Sequence, residues 1–178
     1  MRPGILATLA LLLACSEEQG VARAGSWEFK VDTTPSSAGD GPRQTAWLRG
    51  SGTEGPRGEQ QSTATVLSFD CRPDHTGAAI LTEQALRQGS IEVELTLDAE
   101  EPRRIPAFAG TTPTGGQVIL SMPLDSVLLL LEGRRQATID YEDGAGSSPT
   151  TAVFPLAGLE TYRDRFLEAC DGKGVQPR

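Results

Sequence analysis

Ile91–Asp98 reads Ile-Glu-Val-Glu-Leu-Thr-Leu-Asp, with apolar and polar residues in strict alternation. Successive side chains of an extended chain point to opposite faces. Ile91, Val93, Leu95 and Leu97 therefore form one apolar face, opposed by Glu92, Glu94 and Thr96, and the segment is a half-buried strand. The same period recurs along the chain. In Ser26–Thr33, Trp27, Phe29 and Val31 alternate with Glu28, Lys30 and Asp32. Thr63–Cys71 sets Thr65, Leu67, Phe69 and Cys71 against Ala64, Val66, Ser68 and Asp70, and Gln136–Glu142 alternates through Ala137, Ile139 and Tyr141. Shorter strands are expected at Gln44–Arg49, Ala78–Leu81, Arg103–Phe108, Gln117–Met122 and Thr150–Leu156. Thr34–Arg43 is a loop rich in Pro, Gly and Ser. Gly50–Ser62 lacks any large apolar residue and reads as a flexible loop, and Arg72-Pro73-Asp74 and Asp143-Gly144 read as turns.

Two segments have the helical period instead. Pro123 suits a first helical turn and Asp125 favours its positive end, after which Leu124, Val127, Leu128 and Leu131 share a face. A strand at Val127–Leu131 is the alternative. Gly158–Cys170 is the clearest helix, with Leu159, Tyr162, Phe166, Leu167 and Cys170 along one stripe and Gly172 as a stop. The expected fold is α+β: a β-rich sandwich or curled antiparallel sheet with the C-terminal helix packed on one face.

The N-terminus is an address. Arg2 precedes an apolar run, Ile5–Leu13, broken only by Thr8; small Ala14 and Cys15 follow, then polar Ser16-Glu17-Glu18-Gln19. This is the layout of a secretory signal. The run is well short of the ~20 apolar residues that span a bilayer. Leu12-Leu13-Ala14-Cys15 resembles a bacterial lipobox. That resemblance implies removal of residues 1–14, acylation of Cys15 and, with Ser16 next, the outer membrane, facing the periplasm. The alternative is an ordinary signal cut after Ala22 or Ala24. The chain then divides into a signal peptide at 1–14, a lipidated cysteine and tether at 15–25, a single β-rich domain at 26–172 and a tail at 173–178.

The charge narrows the partners. The chain carries −8, and losing residues 1–14, which hold Arg2 and no acid, makes it −9. Nucleic acid is excluded as a partner, because phosphate binding needs a basic surface. Electrostatic attraction to anionic lipid is disfavoured for the same reason. Three cysteines are an odd number, but lipid on Cys15 leaves Cys71 and Cys170, which an oxidising compartment would join as a disulfide. Two separate buried thiols are the alternative. One histidine and two cysteines offer no metal-ligand spacing, so no metal and no cofactor is expected.

The residues offer little catalytic pattern. His75, the single histidine, lies in a turn; Gly-x-Ser-x-Gly, Ser-x-x-Lys and the phosphate-cradling Gly-x-x-x-x-Gly-Lys are absent. Asp140-Tyr141-Glu142-Asp143-Gly144 lacks the regular oxygen ligands of a calcium loop and reads as a strand end. Asp98, Glu100 and Glu101 are an acid–base pair only if the fold separates them suitably, and read better as solvated surface. Arg103-Arg104 and Arg134-Arg135 are expected to offset nearby acids. Trp27 and Trp47 sit in apolar patterns, which favours core packing over exposed anchoring.

Three features together form a layout that resembles exported proteins of the TagO kind, associated with type VI secretion, and is also similar to invasion-associated IalB-like proteins. They are Trp27 in an opening strand, Leu67-Ser68-Phe69-Asp70-Cys71, and Phe154-Pro155-Leu156-Ala157-Gly158 leading into a helix that ends at Cys170. The resemblance implies an envelope assembly and assigns no residue a role. The functional expectation is a lipid-anchored, non-enzymatic envelope module that binds a protein partner. A cell-wall or glycan hydrolase and a carrier of a small apolar ligand, held between sheet and helix, are the alternatives.

Overall fold

The computed structural model describes residues 22–24, 26–34, 43–72, 75–142 and 149–171. Its elements in order are β1 (Ala22–Ala24), β2 (Trp27–Thr34), β3 (Arg43–Pro56), β4 (Thr63–Arg72), β5 (His75–Thr82), β6 (Gly89–Leu97), β7 (Arg103–Thr112), β8 (Gly115–Leu120), α1 (Leu124–Leu131), β9 (Gln136–Tyr141), β10 (Thr150–Pro155) and α2 (Leu159–Cys170). Cys15, Gly172 and the Asp143-Gly144 turn lie outside the described residues. Ala22–Ala24, at the end of the expected tether, pairs antiparallel with β2.

The sheet closes on itself. β3, β10, β9, β6, β7, β8, β5 and β4 pair antiparallel in that order, and β4 pairs back to β3. The architecture is thus an antiparallel barrel with a β1–β2 extension and two short helices. The expected β-rich antiparallel fold with a C-terminal helix is present, and its curled sheet closes into a barrel rather than forming a sandwich. The reason lies in β3, which runs on through Gly50–Pro56, where the sequence reads as a loop. One edge of β3 pairs with β4 from Ala46 to Glu54. The other edge pairs first with β2, from Arg43 to Gly50, and then with β10, from Thr53 to Pro56. Without that second half the ring cannot close.

Gly50 and Gly52 explain why this half-strand looks unlike one. Both continue the parity of the buried Ala46 and Leu48. A Cβ on Gly50 would lie 2.6 Å from Cζ2 of Trp27, and one on Gly52 would lie 2.4 Å from Cδ1 of Phe154. The core volume at these positions is supplied by aromatic rings from β2 and β10, so the strand must present bare backbone there. Gly52→Ala should therefore destabilise the domain by about 1–3 kcal/mol through overpacking. A urea melt checks this, and an unchanged midpoint would mean that Phe154 does not fill that space.

The connections put both helices at one end of the barrel. β8 leaves and β9 enters at the end where Gln136 pairs with Pro155, and β10 leaves there too. α1 crosses that end with Leu124, Val127, Leu128 and Leu131 buried, as its period requires, while Leu129 stays exposed. Pro123 stands at the N-cap itself. Leu159, Tyr162, Phe166 and Ala169 are the buried stripe of α2. It packs on β2, where Phe29 stacks on Tyr162 at 6.0 Å and meets the edge of Phe166 at 6.4 Å. Trp27 is fully buried, stacks on Phe69 at 5.9 Å, and donates its indole N–H to the Pro155 carbonyl at 3.1 Å.

Candidate functional site

The outer face of β3, β4, β5 and β8 carries the most suggestive cluster. Parity turns Trp47 and Arg49 outward, because their neighbours Ala46 and Leu48 are buried. Register then sets Arg49 beside Ser68, and Trp47 beside Asp70. The Arg49 guanidinium lies 4.7 Å from the centre of the Trp47 ring. Its Nε donates to Ser68 Oγ at 3.3 Å, and Ser68 donates to Asp70 Oδ2 at 2.7 Å. Arg72 approaches Asp70 at 3.9 Å. On β5, Gly77 leaves room for the His75 ring, whose Nε2 is 3.1 Å from where a Cβ would stand. Arg49, Asp70, Arg72, His75 and Gly77 line a surface cleft of about 320 Å³ beside Trp47, whose far side is Ala79, Leu81 and Ile119.

This cluster is not a hydrolytic triad. A nucleophilic serine needs a base that takes its proton. Ser68 is fully buried and donates to Asp70, and the His75 ring makes no hydrogen bond among the described residues. The arrangement presents to whatever enters the cleft a guanidinium that the neighbouring Trp47 ring and Ser68 hold in place. The two tryptophans thus part company: Trp27 is core, as its pattern suggests, whereas Trp47 is half-buried on the outer face.

The acidic candidates serve the frame. Asp98 adopts a left-handed conformation (φ 52°), and its Oδ1 accepts from the backbone N–H groups of Arg135 and Gln136 at 3.0 and 3.1 Å. Glu100 pairs with Arg134, and with Arg103 at 3.5 Å. Arg104 meets Glu92 at 3.4 Å and Glu94 at 3.8 Å. The expected offsetting of acids by arginines is thus present at 103, 104 and 134. Asp140 joins Glu94 around Arg57, each 2.7 Å from its Nη2, and Thr151 donates to Asp140. These hydrogen bonds, Asp140 first, hold the Arg57 proton more firmly than usual. A hollow of about 410 Å³ lies over this group, but both carboxylates are occupied by Arg57. No cluster with metal-ligand geometry occurs among the described residues.

Glu54 was not singled out by any sequence signal. It is 2 % exposed inside the barrel, at the end away from the helices, and accepts hydrogen bonds from Thr82 Oγ1 and from Tyr141 Oη at 2.9 Å. Burial first, and the Glu54 charge second, raise the Tyr141 phenol above its ordinary range. The unfolded phenol titrates near pH 10, so above about that pH the folded state holds a proton that the unfolded state releases. The stabilisation is complete below about pH 10 and fades as pH rises, by about 1.4 kcal/mol per unit. Tyr141→Phe should remove that alkaline slope and cost about 1–3 kcal/mol at neutral pH, because Glu54 loses a donor. Denaturant melts across the alkaline range measure both effects.

Cys71, buried on β4, and Cys170, half-buried at the end of α2, stand side by side as free thiols, with Cys170 hydrogen-bonded to Cys71. Burial, then this bond, raise the Cys170 thiol.

No family model and no curated protein matches the sequence. The solved structure of invasion associated protein B from Bartonella henselae is similar to this chain. It aligns over 83 % of this chain and 95 % of its own, with 12 % identity and a TM-score of 0.48.

Proposed function

We propose that this chain is a cell-envelope protein, anchored by lipid on Cys15 in the outer membrane, whose barrel binds a protein partner without catalysis. The observation that carries the reading is the outer face at Trp47 and Arg49. There an aromatic ring and a guanidinium stack beside an open cleft on the outer face of the barrel. Aromatic and arginine side chains are the types that dominate binding surfaces. The strand-end acids, which a hydrolase would need free, are bonded to backbone amides and arginines. Through the TagO-like resemblance, the assembly served is a type VI secretion apparatus.

Two measurements test the reading. The intact mass of the full chain, expressed in a bacterial host and extracted in detergent, should match residues 15–178 plus acyl groups. An unacylated mass beginning downstream removes the anchor. A photo-cross-linker placed at Ser51, next to the cleft on β3, should capture one envelope protein, and Arg49→Glu should abolish the capture. Equal capture from Thr138, on the outer face of β9, would show that the Trp47 face is not the binding surface.

A further inference from the structure

We infer that the cleft beside Trp47 is a carboxylate-binding site, filled by an acidic peptide segment of the partner whose adjoining aliphatic side chain lies on Ala79, Leu81 and Ile119. The inference rests on the proposed binding role and gives it a chemistry.

The cleft has two unlike ends. At one end are Arg49, Arg72 and His75; at the other are apolar side chains from β5 and β8. Arg49 is half-buried, and its position is fixed by the Trp47 ring beside it and by Ser68, which accepts a hydrogen bond from its Nε–H. Its terminal amino groups enter no ion pair among the described residues. This sets it apart from Arg57, Arg104, Arg134 and Arg163, each of which already holds a carboxylate. A guanidinium oriented in this way matches the two oxygens of a planar oxyanion.

Charge selects the anion. The protein as a whole is acidic, at −8. Among the lining residues, however, two guanidiniums face the single carboxylate of Asp70, which Ser68 and Arg72 already engage, whereas Glu28, opposite Arg49 on β2, stands outside the lining. One positive charge remains, which suits a monoanion better than a phosphate dianion. The apolar end requires the anion to be attached to a body of a few carbons. The floor is low because Gly77 and Ala79 face outward there, opposite Asp70 and Ser68.

N-acetyl-leucine carries a free carboxylate beside one aliphatic side chain and is the probe. Titrated into the full chain in detergent and followed by backbone amide NMR, it should shift Arg49, Gly77 and Ala79 in a saturable manner. N-acetyl-leucine amide should bind roughly tenfold more weakly, because the charge-assisted hydrogen bonds are lost. Arg49→Gln and Arg72→Gln should each weaken binding. Asp70→Asn should strengthen it, a gain that misfolding cannot produce. Saturation with that pattern supports the inference. No saturation, equal binding of the amide, or tighter binding of inorganic phosphate overturns it. If the probe binds but the cross-linker at Ser51 captures nothing, the cleft stands and the proposed function falls. If the cross-linker at Ser51 captures its partner while the probe fails to bind the unaltered chain, the proposed function stands and the carboxylate site falls.

Discussion

Trp27→Ala should cost the domain about 3–5 kcal/mol, the range for removing a fully buried large aromatic. Three losses combine. The indole has no exposure, so the whole ring volume becomes a cavity. Its stacking partner Phe69 loses a face. The Pro155 carbonyl loses the N–H that links the start of β2 to the end of β10. The surroundings are poorly placed to collapse into the gap, because the neighbour directly opposite is Gly50, which has no side chain to move in. A domain of this size has about 5–15 kcal/mol to lose, so the variant should sit near its unfolding threshold. Urea denaturation followed by circular dichroism measures the change. A cost below about 1 kcal/mol would place Trp27 outside the core.

Oxidation of Cys71 and Cys170 should raise stability by up to about 4–5 kcal/mol, the chain-entropy limit for a loop of about 100 residues. Two thiols give up two protons and two electrons, for instance to glutathione disulfide, and one S–S bond forms. The bond would link β4 to the end of α2 and so tie the helix to the barrel. Cys170→Ser or reduction should lower the melting midpoint of the oxidised protein; identical melts with and without reductant would mean that no bridge forms. Timing follows from the raised thiol of Cys170, because the thiolate is the attacking species. Once folded and reduced, the protein should reoxidise slowly through Cys170 near neutral pH. The rate of thiol loss in the folded reduced protein tests this.

Most strands and both helices were legible because their apolar period is local. Ile91–Leu97 and Leu159–Cys170 need no knowledge of their partners. The C-terminal half of β3 was hidden for a physical reason. Its inward positions are glycines whose space is filled by Trp27 and Phe154, residues distant in sequence. An absent side chain carries no periodic signal. Glu54 was hidden in the same stretch, since a buried acid looks like a surface acid until Tyr141 and Thr82 surround it. The outward placement of Trp47 runs against the expected core packing, because its neighbours Ala46 and Leu48 make the run look apolar throughout while they alone take the inner face. What no local pattern contains is the register that brings Arg49 to Ser68 and Asp70 near His75. The binding cleft is a product of that register.

Ring closure also bears on how the protein behaves when concentrated. Unpaired strand edges are where one chain recruits another into fibres. Each barrel strand has a neighbour on both sides. Among the described strands, an open edge remains at β2, beyond the three residues that β1 covers. That stretch carries Lys30 and Asp32, paired with each other at 2.8 Å, a charged edge that discourages strand addition. Among the described strands, self-association through backbone hydrogen bonds has this stretch and the outer edge of the three-residue β1 to start from, and solubility should respond to charge reversal at Lys30.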